Sequence, residues 1–394
     1  MKSADRLAEE AVSRCRLLAG FSTSATGLTR TFLSPPTRDC HREISAWMEA
    51  LGMHVETDAI GNLRGVYAGG GDRRLIIGSH IDTVPNAGAF DGVLGVMIGL
   101  ALVGALAGRR MPFAIEVMAF SEEEGVRFGK PFLGSLAVVG KLEWDGAIAQ
   151  AVRDFGLDPE RIGEARIDTS RVLGYLEFHI EQGPVLDEAD LPLGVVETIV
   201  GQSRFGLTFR GAANHAGTTP MRQRRDALAA AAAWVIAVEA EAWRVDGLVA
   251  TVGSIEVFPN AGNVIAGEAR VSLDVRHRAD EVRLAAVKQL LDRAAEIGRR
   301  RGVEVSWSER LNQPAVPMDA GLVALAERSV PFRMVSGAGH DAMILAAVVP
   351  SVMLFVRSPG GVSHHPDETV QVEDVAAAIR AGLNLLDEIA KRYN

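Results

Sequence analysis

The chain has 394 residues, enough for two domains, because single cores stop growing near ~250–300 residues. Its 48% hydrophobic and 23% charged residues fit an ordinary globular protein, and a net charge of −9 excludes the basic face that nucleic acid requires. Two cysteines, Cys15 and Cys40, form no CxxC pair and no disulfide framework, which predicts a reduced, cytoplasmic protein.

The N-terminal MKSADRLAEEAVSRCRLLAG is charged and lacks the apolar run of a signal peptide. Residues 40–52 carry apolar positions at helical spacing and stop on Gly52. An extended stretch through Val55, Leu63 and Val66 turns at Gly61 and Asn62. Arg74 to His80 reads as a buried strand, Gly95 to Leu106 as a buried helix and Ala114 to Phe120 as another strand. This alternation predicts a layered α/β domain.

The middle has a different texture. Gln202 to Arg210 alternates as a strand, and Asp226 to Trp243 is an Ala-rich helix. Its apolar stretch is too short for a membrane span, which needs about 20 residues. Strands Leu248 to Phe258 and Asn263 to His277 flank the turn Pro259-Asn260-Ala261-Gly262. Helix Glu281 to Arg300 and strand Val303 to Trp307 follow. The order β-α-β-β-α-β matches a ferredoxin-like unit. The predicted organisation is therefore an α/β domain over 1–200 and 316–394 with an α+β domain, 201–315, inserted in it.

Five short motifs carry chemistry. In GSHIDTVP, His80 and Asp82 point the same way along an extended chain, so the acid can orient the imidazole; a turn histidine satisfied by its neighbour gives the same pattern. Asp91, in FDGVLG, opens a helix, where an acid also serves as an N-cap. Consecutive carboxylates Glu122, Glu123 and Glu124 after a hydrophobic strand repel one another unless a cation lies nearby. His179 stands in FHIEQGP, and His364 in GGVSHHP. Imidazoles and carboxylates together suit Zn²⁺, Mn²⁺, Co²⁺ or Ni²⁺. GxSxG, HExxH and P-loop patterns are absent, and Ala68 to Asp72 lacks the GxGxxG order of a nicotinamide site.

Taken together, GSHIDTVPNAGAFDGVLGV, FSEEEGVRF, EFHIEQGP, NHAGTTPM, PNAGNVI, DVRH, SGAGHDA and GVSHHPDE resemble the peptidase M20-like amidases. The branch is that of N-carbamoyl-L-amino acid hydrolases, β-ureidopropionases and allantoate amidohydrolases. The motifs span about residues 28 to 370. The resemblance implies a di-metal phosphorylase/hydrolase-like catalytic domain with an inserted ferredoxin-like lid and dimerisation domain, in a homodimer with no nucleic-acid or membrane partner. It implies two divalent ions, Zn²⁺ or Mn²⁺ with Co²⁺ or Ni²⁺ as alternatives. One is held by His80, Asp91 and His179, the other by Asp91, Glu124 and His364. Glu123 would be the general base, Asp82 would support His80, and His215 would polarise the scissile carbonyl. Asn263 and Arg276 would hold the substrate carboxylate, although Arg276 could instead pair with an acid on its own sheet. Gln182, Gly337, His340 and Gly361 would line the same pocket.

Three positions depart from the family pattern. His365 follows the ligand histidine where Asn or Ser is usual, and the Val362-Ser363 context assigns the ligand to His364. Met343 and Ala266 are the others, and Met343 bears on the substrate. The implied substrate is allantoate, favoured by FLSPPTRDCHREISAWMEALGM, with an N-carbamoyl-L-amino acid second. An M20 aminoacylase or dipeptidase, or a non-catalytic carboxylate-binding relative, would share the motifs. A lid closing over substrate would hinge near residues 201 and 315.

Overall fold

A computed structural model describes residues 3–393. The chain divides into two compact units, Met1–Glu197 with Pro317–Asn394 and Thr198–Val316.

In chain order the first unit opens with α1 (Ala4–Ala19), α2 (Pro35–Ala50), β1 (His54–Thr57), β2 (Leu63–Tyr67) and β3 (Arg74–His80). It continues with α3 (Val93–Leu106), β4 (Ala114–Phe120), α4 (Leu133–Val138), α5 (Gly146–Asp154), β5 (Val172–Ile180), α6 (Val185–Glu188) and β6 (Leu193–Ile199). Helix α2 begins five residues before the periodic stretch read from sequence, because Pro35 occupies its first turn, where a missing N–H costs nothing.

The second unit holds β7 (Gly201–Arg210), β8 (Asn214–His215), α7 (Ala227–Arg244), β9 (Val249–Thr251), β10 (Ile255–Phe258), β11 (Val264–Ile265), β12 (Glu268–His277), α8 (Asp280–Arg301) and β13 (Glu304–Gln313). The first unit then resumes with β14 (Val316–Pro317), α9 (Ala320–Ala326), β15 (Arg333–Ser336), α10 (Asp341–Leu345), β16 (Ser351–Val356) and α11 (Val372–Ala390).

The first unit is a mixed α/β layer structure on a nine-stranded sheet, with order β1-β2-β4-β3-β5-β16-β6-β14 and β15 beside β6. Its centre, β4-β3-β5-β16, is parallel. Parallel strands are covered on both faces, so their sequences read as continuous apolar runs. Helix α3 packs on β3, β4 and β5 and also meets α1 and α11. Every residue of α3 except Gly104 is buried, which is why its sequence is apolar on all sides. Side chains after the carboxyl ends of such strands gather in one crevice, and that is where the motifs fall.

The second unit has sheet order β10-β12-β7-β13, with neighbours antiparallel, a ferredoxin-like arrangement. Its core joins Phe205, Leu207 and Phe209 to Trp234 of α7 and Leu290 of α8. Three strands differ from their sequence readings. The stretch Leu248 to Phe258 is two strands, since Thr251 to Ile255 takes four steps where β12 takes three, Asp274 to Val271. That extra residue is a bulge. The stretch Asn263 to His277 breaks at Ala266 and Gly267, whose backbone bonds to Ala227, Phe258 and Gly211. Strand β13 runs on to Gln313, pairing β7 along its length despite polar, exposed side chains.

Candidate metal centre and active site

The crevice is built by four strand ends. His80 closes β3, Glu123 and Glu124 follow β4, His179 lies near the end of β5, and His364 sits on the loop after β16. Asp91 enters from the loop before α3. That loop approaches His80 so closely that a Cβ at Gly92 (φ 68°) would lie 2.5 Å from the imidazole ring; only glycine fits there.

Asp91 is the centre of the cluster. Its Oδ1 is 3.2 Å from His179 Nε2 and 3.7 Å from His80 Nε2, and its Oδ2 is 3.2 Å from His364 Nε2. His364 Nε2 also lies 3.6 Å from Glu124 Oε1. Ligand-type atoms of His80, Asp91 and His179 lie within 4.8 Å of one another, as do those of His80, Glu123 and Glu124 and those of Asp91, Glu124 and His364. His365 turns away toward Asp367.

The protonation pattern shows that these donors suit a cation. His179 Nδ1 lies 2.8 Å from the Ile180 carbonyl and His80 Nδ1 lies 3.0 Å from the Asp82 carbonyl. A carbonyl oxygen only accepts, so each Nδ1 carries its proton. In neutral rings both Nε2 lone pairs are then bare, yet they face each other at 3.5 Å beside a carboxylate. A divalent cation satisfies all three groups, while a proton would serve only one at a time.

Asp82 organises the neighbours. Its Oδ1 accepts the N–H of Glu123 at 3.0 Å, its Oδ2 that of Glu124 at 3.1 Å, and His80 Nδ1 is 3.4 Å from Oδ1. Burial raises the Glu123 carboxyl well above its usual range; Glu124, Asp341 and Asp82 add to this while His80 opposes it. Burial and Asp91 push Glu124 up to about 7. Burial opposes charge on His80, yet Asp82, Glu123 and Asp91 hold its imidazole well above the ordinary histidine range. Four crowded carboxylates and three imidazoles are the electrostatics that a dication relieves. Glu122 is in none of the candidate metal groups: its Oε1 accepts the Gly125 N–H, and burial, with Asp82 next, pushes it up to about 9.

Gln182 (φ 59°) places its Nε2 3.2 and 3.1 Å from the two Asp91 oxygens. Gly361 backs the same turn, where a Cβ would lie 3.0 Å from Pro184 N. His340 is buried behind the cluster: its ring meets His179 edge-on at 4.4 Å and its Nε2 pairs with Ser336 Oγ at 2.9 Å. Burial, with His179 next, pushes its pKa well down, so it stays neutral and packs against the His179 ring. Gly337 is exposed.

His215 and Asn263 share a short ribbon, with His215 opposite Val264 and the Asn263 carbonyl accepting the Ala216 N–H at 2.9 Å. His215 Nδ1 accepts from the N–H groups of Gly217 and Thr218 at 3.0 and 3.2 Å. The neutral ring therefore carries its proton on Nε2, leaving that nitrogen a donor. Arg276 forms a two-point pair with Asp274 at 2.9 and 3.0 Å. It stands near the end of β12 opposite Glu268, a run of roughly 26 Å at ~3.3 Å per residue. Thus Arg276 lies at the far end of β12 from the ribbon's attachment.

Two site-proximal acids escaped the sequence reading. Glu177, on β5 beside β3, accepts from Ser79, Tyr175 and the Ala342 N–H. Glu368 bonds to the loop of Asp91. Only its position four residues after His364 hinted at the latter.

Imidazole and carboxylate donors converging after the ends of parallel strands, with a spare buried carboxylate beside them, define a metal-dependent hydrolase. More closely, the chain belongs to peptidase family M20/M25/M40, whose model matches residues 76–388. An allantoate deiminase of Glycine max is 37% identical, covering 98% of this chain and 90% of its own length. An N-carbamoyl-L-amino acid amidohydrolase of Geobacillus stearothermophilus is 39% identical, covering 89% and 90%. A hydantoinase/carbamoylase-family amidase from Burkholderia multivorans has a crystal structure that matches with a TM-score of 0.91 at 30% identity, over 97% of this chain and 98% of that one.

Proposed function

We propose that this metal-dependent amidohydrolase, which acts on carbon–nitrogen bonds other than peptide bonds, cleaves the ureido bond of a carboxylic acid, with allantoate as substrate. Water adds to the ureido carbonyl, the C–N bond breaks, and the carbamate released gives ammonia and carbon dioxide. The observation that carries this reading is Glu123, a buried carboxylate outside the Asp91-centred contacts yet fixed beside them through Asp82.

His80, Asp91 and His179 would hold one divalent ion, and Asp91, Glu124 and His364 a second. Bound there, the ions supply Lewis acidity, which lowers the pKa of water and polarises a carbonyl. Glu123 accepts the proton of the attacking water and returns it to the leaving nitrogen. Asp82 keeps His80 in the tautomer that presents Nε2. His215, with its proton on Nε2, donates to the oxygen on which charge develops. Asn263 and Arg276 bind the substrate carboxylate, with the guanidinium oriented by Asp274. Gln182, Gly337 and Gly361 line the pocket, and His340 supports it from behind.

The protein acts as a homodimer in this reading. Leu228, Ile236 and Trp243 are 40%, 68% and 86% exposed along one face of α7, and Ile255 and Phe258 are exposed on the edge strand β10. Such apolar exposure favours burial against a second copy. The separation of Arg276 from the His215 ribbon also favours a binding set drawn from two copies. The inserted unit then serves as lid and dimerisation domain.

An N-carbamoyl-L-amino acid is the second candidate, favoured by the 39% identity to the Geobacillus enzyme. A panel of allantoate, N-carbamoyl amino acids, N-acyl amino acids and dipeptides tests the choice on protein loaded with Zn²⁺, Mn²⁺, Co²⁺ or Ni²⁺. The reading requires ammonia release, highest with allantoate. Cleavage of dipeptides or N-acyl amino acids without ammonia from any ureido acid would overturn it.

Among the described residues no helix is long and apolar enough to cross a membrane.

A further inference from the structure

Glu368 hydrogen-bonds to none of the imidazoles or carboxylates of the cluster, yet it is 5% exposed. Burying an acid is unfavourable unless hydrogen bonds replace its water. Its Oε1 accepts two N–H groups, from Phe90 at 2.9 Å and from Asp91 at 3.0 Å. Its Oε2 accepts the hydroxyl of Ser363 at 3.1 Å. The first pair fixes the backbone of Asp91; the last fixes the residue preceding His364. The Glu368 N–H also closes the turn onto the His365 carbonyl at 3.0 Å.

Both tethered loops need such support. His364 has φ 54°, a left-handed conformation costly for a residue with a Cβ. The Asp91 loop passes so near Glu368 that a Cβ at Gly88 would lie 2.3 Å from the Glu368 Cβ. The two loops meet where Asp91 Oδ2 lies 3.2 Å from His364 Nε2.

We propose that Glu368 is a positioning residue that clamps the Asp91 loop to the His364 loop, setting the half of the centre formed by Asp91, Glu124 and His364. The clamp acts through backbone amides and one hydroxyl, so it is independent of whichever substrate the enzyme takes. It rests on the two-ion reading above and gives it an asymmetry: the ion on His80, Asp91 and His179 depends on the Asp91 arm, and the other ion on both arms.

The test is metal affinity, measured by competition with a chromophoric chelator for Zn²⁺, on wild type, Glu368→Gln, Glu368→Ala and Ser363→Ala, with melting of the metal-free proteins as control. Glu368→Gln turns its oxygen to the two amides and its NH₂ to the Ser363 hydroxyl, and should stay within about threefold of wild type. Glu368→Ala should weaken binding about 10- to 100-fold, the scale for groups that orient ligands. Ser363→Ala cuts one arm only; it should weaken one of the two ions about 10-fold, leave the other unchanged and leave the metal-free melting temperature in place. This variant decides the matter if Glu368→Ala does not fold. Wild-type affinity for both ions in Ser363→Ala, or equal weakening of both, overturns the clamp. Failure of wild type to bind two ions would overturn the two-ion reading instead.

Discussion

Asp82 and Glu123 are joined through the backbone: the Glu123 N–H donates to Asp82 Oδ1 at 3.0 Å, while the other Asp82 oxygen takes the Glu124 N–H at 3.1 Å. One carboxylate thereby fixes the proposed base and its neighbouring ligand, and its own carbonyl sets the tautomer of His80. Asp82→Asn would point an NH₂ group at one of those N–H donors. Metal affinity and kcat should each fall about 10- to 100-fold. Chelator competition and steady-state rates check this; wild-type values for both would show that Asp82 organises nothing.

Glu123→Gln preserves the size of the side chain and removes its basicity. Two ions should remain bound, with kcat lower by about 10²- to 10⁴-fold. Elemental analysis of the dialysed variant, beside its rate, separates lost proton transfer from lost metal. An active variant would place the base elsewhere.

His215 is read as a donor because Gly217 and Thr218 N–H groups occupy its Nδ1. His215→Ala should lower kcat about 10²- to 10³-fold with a smaller change in KM, the pattern of a contact made chiefly as charge develops. A change confined to KM would make the residue a binding group only.

Association has its own test. Ile236→Lys combined with Trp243→Lys puts two charges on the exposed apolar face of α7. Sedimentation should then show a dimer for the wild type and a monomer for the variant. A dimer in both proteins would move the interface off α7.

His41, on α2, offers a prediction about stability away from the crevice. Its ring packs edge-on against Phe155 at 5.7 Å and its buried Nε2 has no partner. Burial, with help from the cations Arg30 and Arg38, pushes its pKa down to about 4 from an ordinary 6.5. Between these values the unfolded chain binds the extra proton, so this group's contribution is present above pH 6.5 and is lost as pH falls toward 4. The loss is about 3 kcal/mol at ~1.4 kcal/mol per pH unit. Urea titrations at pH 7 and pH 4 should show His41→Gln less acid-sensitive than wild type by that order. Equal sensitivity would mean that the site protonates without penalty.

Much of the cluster was legible because its members stand in short motifs at strand ends and in adjoining loops, where His80, Asp91, Glu124, His179 and His364 come together in the fold. Of the unusual His364-His365 pair, His364 lies at Asp91 and His365 at Asp367. Spacing did not reveal that Gln182 bonds both oxygens of Asp91, or that His340 packs behind His179. Nor did it reveal Glu368, whose partners are backbone amides 278 and 277 residues away. Such bonds leave no periodicity and ask nothing of the partner's side chain. The bulge between Thr251 and Ile255 was hidden for a related reason: strand residues flank it on both sides, and only the partner strand shows the extra step.

In the proposed reaction two divalent ions on this cluster drive ureido hydrolysis, and titrating metal back into stripped protein tests this most directly. Protein freed of metal by chelation should release no ammonia from allantoate. Activity should return on adding Zn²⁺ or Mn²⁺ and reach its plateau at two equivalents per chain. Full activity in the stripped protein, or a plateau at one equivalent, would contradict the account.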